Sequence, residues 1–200
     1  SATPARQVCD RSGWDGDEYR LELTGVVEDA IPKSHKLRLT RRIRSWIGSR
    51  RIELVDEIEN FGYQAAPLTL LYHINPGFPL LDADSELLVS ASHCEAYDLH
   101  ARDHLAGRFS VQGPTAGCRE QDFLHHVLGD AQGYALAGVI NPGIEAGLAL
   151  RIRFQAAQLP FLSEWKMLGE GDFVVGLEPC NVPCLNRAQL RKLDRLPLLA

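Results

Sequence analysis

The chain has 200 residues, 45% of them hydrophobic and 24% charged, with a formal net charge of −5. That length suits one domain able to bury a sizeable core, and the acidic balance supplies no basic face for nucleic acid or anionic lipid. No run of about 20 apolar residues offers a membrane span, and Ser1-Ala2-Thr3-Pro4 lacks the basic and apolar regions of a signal peptide, so a cytoplasmic location is expected.

Along the chain the dominant period is two. Tyr19-Arg20-Leu21-Glu22-Leu23, Lys36-Leu37-Arg38-Leu39-Thr40 and Ile52-Glu53-Leu54-Val55-Asp56-Glu57-Ile58 alternate apolar and polar side chains and predict strands with one wet face. The basic cluster of Arg41, Arg42, Arg44, Arg50 and Arg51 could meet a phosphate or sulfonate group. Glu53, Asp56, Glu57 and Glu59 lie close enough in sequence to neutralise it, and a solvated strand face is the reading adopted. Residues 67–75 are more apolar and predict a central strand, with His73 and Asn75 on one side and Tyr72 and Ile74 on the other. A strand follows at 86–91. Residues 92–117 hold His93, His100 and His104, show the least periodicity, and read as a long surface connection.

Further strands are predicted at 121–128, 134–141, 147–155 and 172–178, and one short helix at 187–193 beyond Pro179 and Pro183. Strands separated by Gly, Pro, Asn and Asp turns predict an all-β fold of antiparallel sheets packed face to face, here as a single domain over 1–200. The polar start and the apolar Leu198-Leu199-Ala200 suggest that N-terminal strands are missing. The exposed edges would then be closed by a second copy, as a homodimer, or by a longer native chain. Five scattered cysteines argue against a disulfide framework. Cys180 and Cys184 have no second pair at zinc spacing and are read as reduced thiols packed as small apolar groups.

Two islands carry the chemistry, Tyr72-His73-Ile74-Asn75-Pro76-Gly77-Phe78 and Val175-Gly176-Leu177-Glu178-Pro179-Cys180-Asn181. Each sets one titratable residue in a strand-then-turn context, and an imidazole paired with a carboxylate moves protons in both directions near neutral pH. His73 is either a cleft residue or a strand histidine bound to a backbone carbonyl. Glu178 is either an exposed strand end or a carboxylate partly desolvated between an apolar strand and Pro179, which would raise its pKa and suit a base.

The segment from Leu70 to Leu80 resembles the histidine strand of the aldose 1-epimerase (galactose mutarotase-like) superfamily. Leu159-Pro160, Trp165-Lys166 and Phe173-Val174-Val175-Gly176-Leu177-Glu178-Pro179 resemble its glutamate strand. The Tyr-His-x-Asn and Gly-Leu-Glu-Pro signatures are closest to a bacterial aldose epimerase-like branch, and the likeness runs over residues 14–181. It implies a β-supersandwich that interconverts sugar anomers, with His73 as general acid and Glu178 as general base. The arginine and second histidine that mutarotases carry upstream have no match before residue 67.

A sugar substrate gives other residues candidate roles. Asn75 and Asn181 would donate hydrogen bonds to sugar hydroxyls or serve as turn formers. Trp165 would offer an indole face or belong to the core, and Lys166 would reach an anionic substituent. Alternation sends Gln121, Phe123 and His125 to one face, so Gln121 and His125 are expected in the cleft with His126 pointing away. His73, His125 and Glu178 would hold a divalent metal if they converged; tight ligand spacing is lacking, and no cofactor is expected. His73 and Glu178 are expected to flank a space one sugar ring wide. A non-catalytic carbohydrate-binding protein and a metal-dependent keto-sugar isomerase or lyase are the alternative functions.

Overall fold

The computed structural model describes residues 3–144 and 146–200. Its strands in chain order are β1 (Arg6–Asp10), β2 (Gly13–Asp15), β3 (Glu18–Ala30), β4 (Lys36–Trp46), β5 (Glu53–Asn60), β6 (Ala66–Pro67) and β7 (Glu86–Val89). There follow β8 (Ala91–Ala96), β9 (Gln121–Val127), β10 (Tyr134–Asn141), β11 (Leu148–Gln155), β12 (Phe161–Leu168), β13 (Phe173–Cys180) and β14 (Leu198–Leu199). Two short helices, α1 (Leu99–Asp103) and α2 (Arg187–Lys192), complete the regular structure with a 3-10 turn at Leu105–Gly107. The chain divides into two compact units, Ser1–Leu68 with Pro197–Ala200, and Thr69–Leu196.

In the first unit, β1, β3, β4 and β5 pair in that order as an antiparallel sheet, with β2 also on β3, while β6 pairs with β14. Cross-strand partners share a face. The register therefore puts Leu23, Ile43 and Leu54 on one face, and Glu22, Arg44 and Glu53 on the other. Ion pairs on both faces of this sheet neutralise the basic cluster. Arg41 holds Asp56 with two bonds of 2.9 and 2.7 Å, Arg44 Nε donates to Glu22 Oε2 at 2.6 Å, and Arg51 contacts Glu53.

The second unit packs the sheet β11-β10-β7 against the sheet β13-β12-β9-β8. Leu87, Ala135, Ala137, Val139 and Phe154 from the first meet Leu162, Leu168, Val175 and Leu177 from the second in one buried cluster. Dry interdigitation of alternate side chains is what makes such sheets pair. α2 begins where Asn186 and Gln189 cap each other's backbone amides reciprocally.

Three sequence expectations are corrected. Residues 68–78 form no regular central strand; they run along the outer edge of β13 through isolated bridges at Leu71–Cys180, Ile74–Leu177 and Gly77–Val174. Proline explains the broken ladder. Pro179 has no N–H at the position between the amides of Leu177 and Asn181, which donate to Ile74 and Leu70, and Pro76 removes a donor from the opposite side. Residues 92–117 are more than a surface connection, because they contain most of β8 and all of α1, and they bury Ala101 and Val111. β8 carries no strand pattern in its sequence, because Ala91-Ser92-His93-Cys94-Glu95-Ala96 has no large apolar residue to alternate. β12 was not expected as a strand at all, since Ser163, Glu164 and Lys166 break its apolar pattern yet are all buried.

Candidate functional site

The register along the edge of β13 assembles the site. Leu71–Cys180, Ile74–Leu177 and Gly77–Val174 lie on one unbroken antiparallel alignment, which sets His73 directly across from Glu178. His73 Nε2 lies 2.9 Å from Glu178 Oε1. On the other side of β13, Ser163 of β12 is opposite Glu178, Trp165 is opposite Gly176, and Asp122 of β9 is opposite Trp165. All of them share one face. With Glu120 and Cys184 they line an open cavity of about 270 Å³.

Gly176 makes the pairing possible. A Cβ there would fall on Glu178 Oε1 and within 3.3 Å of His73 Cε1. Gly176→Ala should therefore push the Glu178 carboxylate off its seat and break its contact with His73, at little cost to the fold because the displaced atom ends a flexible side chain beside an open cavity. A crystal structure of the variant measures the displacement, and a His73–Glu178 contact still near 2.9 Å would refute the steric reading.

The two titratable groups differ in setting. The His73 side chain is 49% exposed and the Glu178 side chain 7%. His73 Nδ1 is 2.6 Å from Asn75 Oδ1, which accepts a hydrogen bond from the Nδ1–H and leaves Nε2 to face Glu178. Burial pushes Glu178 up to about 7, against the lowering attraction of His73 and with help from Cys184 and Asp122. Asp122 is pushed up to about 6 by burial, then by Glu120 and Asp98. The Trp165 ring stands edge-on to His73 with centroids 6.1 Å apart, and its Nε1–H donates to Glu120 Oε2 at 3.1 Å.

Linkage follows from the raised Glu178 value. Between the ordinary 4.5 and about 7, the folded chain holds a proton that the unfolded chain has lost, so this group's contribution to stability falls as pH rises through that window. Glu178→Gln cannot acquire the charge. It should be more stable than the parent at about pH 8, by on the order of 1–3 kcal/mol, and the difference should shrink toward about pH 4. Unfolding free energies at the two pH values check this; a variant less stable than the parent at the higher pH would contradict it.

Other expected site residues lie elsewhere. Gln121, His125 and Lys166 occupy the opposite, core-facing side of β9 and β12, and the expectation that they reach the cleft is corrected. His125 is fully buried, with Nε2 2.8 Å from Glu164 Oε2 and its ring stacked on Phe109. Lys166 Nζ donates to the carbonyls of Arg108 at 2.9 Å and Ser110 at 2.7 Å, and burial lowers its pKa. An ammonium spent this way cannot hold an anionic substituent. Asn181 Oδ1 accepts the Leu70 N–H at 2.7 Å, a structural use that ties β13 to the histidine segment. His73 and Glu178 do meet, but in direct contact rather than across a sugar-wide gap. His125 does not join them, and no group of three or more His, Cys, Asp or Glu able to hold a metal is found among the described residues.

A family model described as "Domain of unknown function (DUF4432)" matches residues 1–200. The chain belongs to the DUF4432 family. No curated protein matches this DUF4432 chain. Among solved structures, a Klebsiella pneumoniae protein described as a "putative aldose 1-epimerase" superimposes with a TM-score of 0.91 at 28% identity. The alignment covers 98% of this chain and 51% of that one, so the chain spans about half the length of the structure it matches. The DUF4432 chain thus has an all-β, aldose epimerase-like sandwich fold, as the resemblance implied. No helix among the described residues is long and apolar enough to cross a membrane.

Asp122, Ser163, Glu120 and Cys184 were missed as site residues. For Asp122 the signal was present in the alternation of β9, but the apolar members of that strand do not say which face is the core. Ser163 and Cys184 carry no motif, and only folding brings them beside Glu178.

Proposed function

We propose that this DUF4432 chain carries the acid/base centre of a carbohydrate isomerase that interconverts sugar anomers. The observation that carries the reading is the His73–Glu178 contact of 2.9 Å within an open cavity. The description of the Klebsiella pneumoniae protein supports the same class of chemistry.

Opening a cyclic aldose needs a base for the anomeric hydroxyl proton and an acid for the ring oxygen at the same time. In the ion-pair form, Glu178 is a carboxylate and His73 carries a proton on Nε2. A sugar replaces their mutual contact with two hydrogen bonds, its anomeric hydroxyl donating to Glu178 and His73 donating to the ring oxygen. Glu178 takes the hydroxyl proton, the C1–O1 bond becomes a carbonyl, the C1–O5 bond breaks, and O5 takes the proton from His73. Rotation about C1–C2 presents the other carbonyl face, and reversal of both transfers restores the ion pair with the opposite anomer. A carboxyl poised at about 7 exchanges its proton with little driving force either way, which suits a reaction that runs in both directions. Trp165 offers its indole to the C–H side of the ring, and Asn75 holds the imidazole through Nδ1.

The test is anomer exchange followed by NMR for a panel of hexoses and pentoses with the purified protein. Acceleration over buffer for at least one sugar is expected; spontaneous rates for every sugar would retire the proposal.

A further inference from the structure

Neutralisation of the arginines in the first unit is uneven. β1 pairs Arg6 with Val26 and Cys9 with Thr24, so Gln7 and Val8 stand against Gly25 alone, and Gln7 takes a left-handed φ of 49°. An extra residue of this kind bends its strand and interrupts the ladder. The bulge borders a cavity of about 590 Å³, walled by Gln7 and Arg11 on one side and by Glu22, Thr24, Thr40 and Arg42 of β3 and β4 on the other. Thr24 and Arg42 are direct cross-strand partners, and the Arg11 N–H donates to the Glu22 carbonyl at 2.8 Å.

Among the described residues Glu22 is the one carboxylate in that lining, and it is already committed. Its side chain is 6% exposed and faces three guanidiniums, with Arg44 Nε at 2.6 Å, Arg20 Nε at 3.3 Å and Arg42 Nε at 3.9 Å. The Arg44 hydrogen bond holds its carboxyl below the ordinary value against the opposing effect of burial, and the charges of Arg44, Arg20 and Arg42 add to this. Arg20 has a second carboxylate in Asp15 at 3.1 Å. Arg42 has only its distant share of Glu22; Glu57, opposite Thr40, forms no ion pair with it. Arg11 forms no ion pair among the described residues. Two guanidiniums therefore face the cavity short of a counter-charge.

We propose that this cavity binds a phosphate monoester, Arg11 and Arg42 holding the phosphate while Thr24, Thr40 and Gln7 meet a hydroxylated body. A guanidinium presents its N–H groups in a fixed fork that matches phosphate oxygens, and bonds between two charged partners are the short, strong ones. Glu22 keeps Arg42 in place without exhausting it, since three cations share one anion. A dianion relieves the repulsion among them, which a carboxylate with a single charge does less well. The volume decides the rest. A cavity in the size range of small-molecule sites is too large for a bare phosphate, and hydroxyl and amide side chains suit a polar body rather than an apolar tail.

Titration of the isotope-labelled protein with glycerol phosphate, inorganic phosphate and glycerol, followed by amide NMR at low salt, separates the parts of the ligand. Glycerol phosphate should saturably shift the amides of Gln7, Val8, Gly25 and Arg42, inorganic phosphate should shift the same set at higher concentration, and glycerol should leave them in place. Arg42→Gln and Arg11→Gln should each weaken glycerol phosphate about tenfold, the loss of one charge-assisted contact, and Arg42→Lys should recover part of it. Arg11 is exposed and stands outside the ion pairs on Glu22, so its variant reports on the site even if the Arg42 variants unfold. Amide shifts confined to other residues, no saturable shift at all, an affinity unmoved by the arginine variants, or inorganic phosphate binding as tightly as the ester would overturn the assignment. The readout is binding in the first unit, so it decides the matter even if the protein leaves sugar anomers untouched.

Discussion

Glu178→Gln is expected to slow anomer exchange by roughly 10²–10⁴-fold, the contribution of one positioned proton-transfer group. Glutamine keeps the shape of the side chain and its place beside His73, but it cannot take the anomeric hydroxyl proton. Affinity for the sugar should change much less than turnover, because the amide still accepts a hydrogen bond from that hydroxyl. Saturation-transfer NMR gives the exchange rate, and sugar titration of the Trp165 fluorescence gives the affinity. A variant that turns over at the parent's rate would remove Glu178 from the mechanism. One that merely binds tenfold more weakly with unchanged turnover would make the cleft a binding site.

The second large effect concerns stability. His125 and Glu164 sit on the reverse face of the strands that present Asp122, Ser163 and Trp165, and both side chains are excluded from water. They are diagonal neighbours across β9 and β12, 2.8 Å apart. His125 Nδ1 and Glu164 Oε1 have no hydrogen-bond partner among the described residues, so apart from the Cys94 thiol 3.8 Å from Nε2 each residue depends on the other. Glu164→Leu alone should cost about 3–5 kcal/mol, since it strands a polar ring in the core. Adding His125→Phe, which keeps the stack on Phe109, should recover most of the loss, because replacing both members of a buried pair by apolar groups is commonly neutral. Denaturant midpoints of the two single variants and the double variant measure it. A Glu164→Leu protein as stable as the parent would show that the pair does not hold the sheet.

How far the chain could be read from sequence depended on how each side chain is used. The alternation in β3, β4 and β5 was plain because apolar residues gather on one face of that sheet and most of the ion pairs on the other. β10 was legible to its ends, where turn residues bracket a run of apolar side chains. The His73 and Glu178 islands could be picked out because a proline or glycine turn stands beside each titratable group. Their direct contact could not, since it depends on a bridge register between segments about a hundred residues apart. The face of β9 was misjudged for a physical reason. A buried His125 satisfied by Glu164 looks, in sequence, like a histidine available to substrate, and Lys166 satisfied by backbone carbonyls looks like a surface cation. Polar residues at alternate positions mark a wet face only when nothing inside the protein pairs with them.

The shared proton between His73 and Glu178 is tested most directly by the anomer-exchange rate of the His73→Gln/Glu178→Gln double variant, measured beside both single variants and the parent on one sugar. Two groups that act as a unit lose nearly everything when either is removed, so all three variants should be slow and the double variant no slower than the slower single one. A single variant that keeps the parent's rate, or losses that multiply in the double variant, would contradict the account.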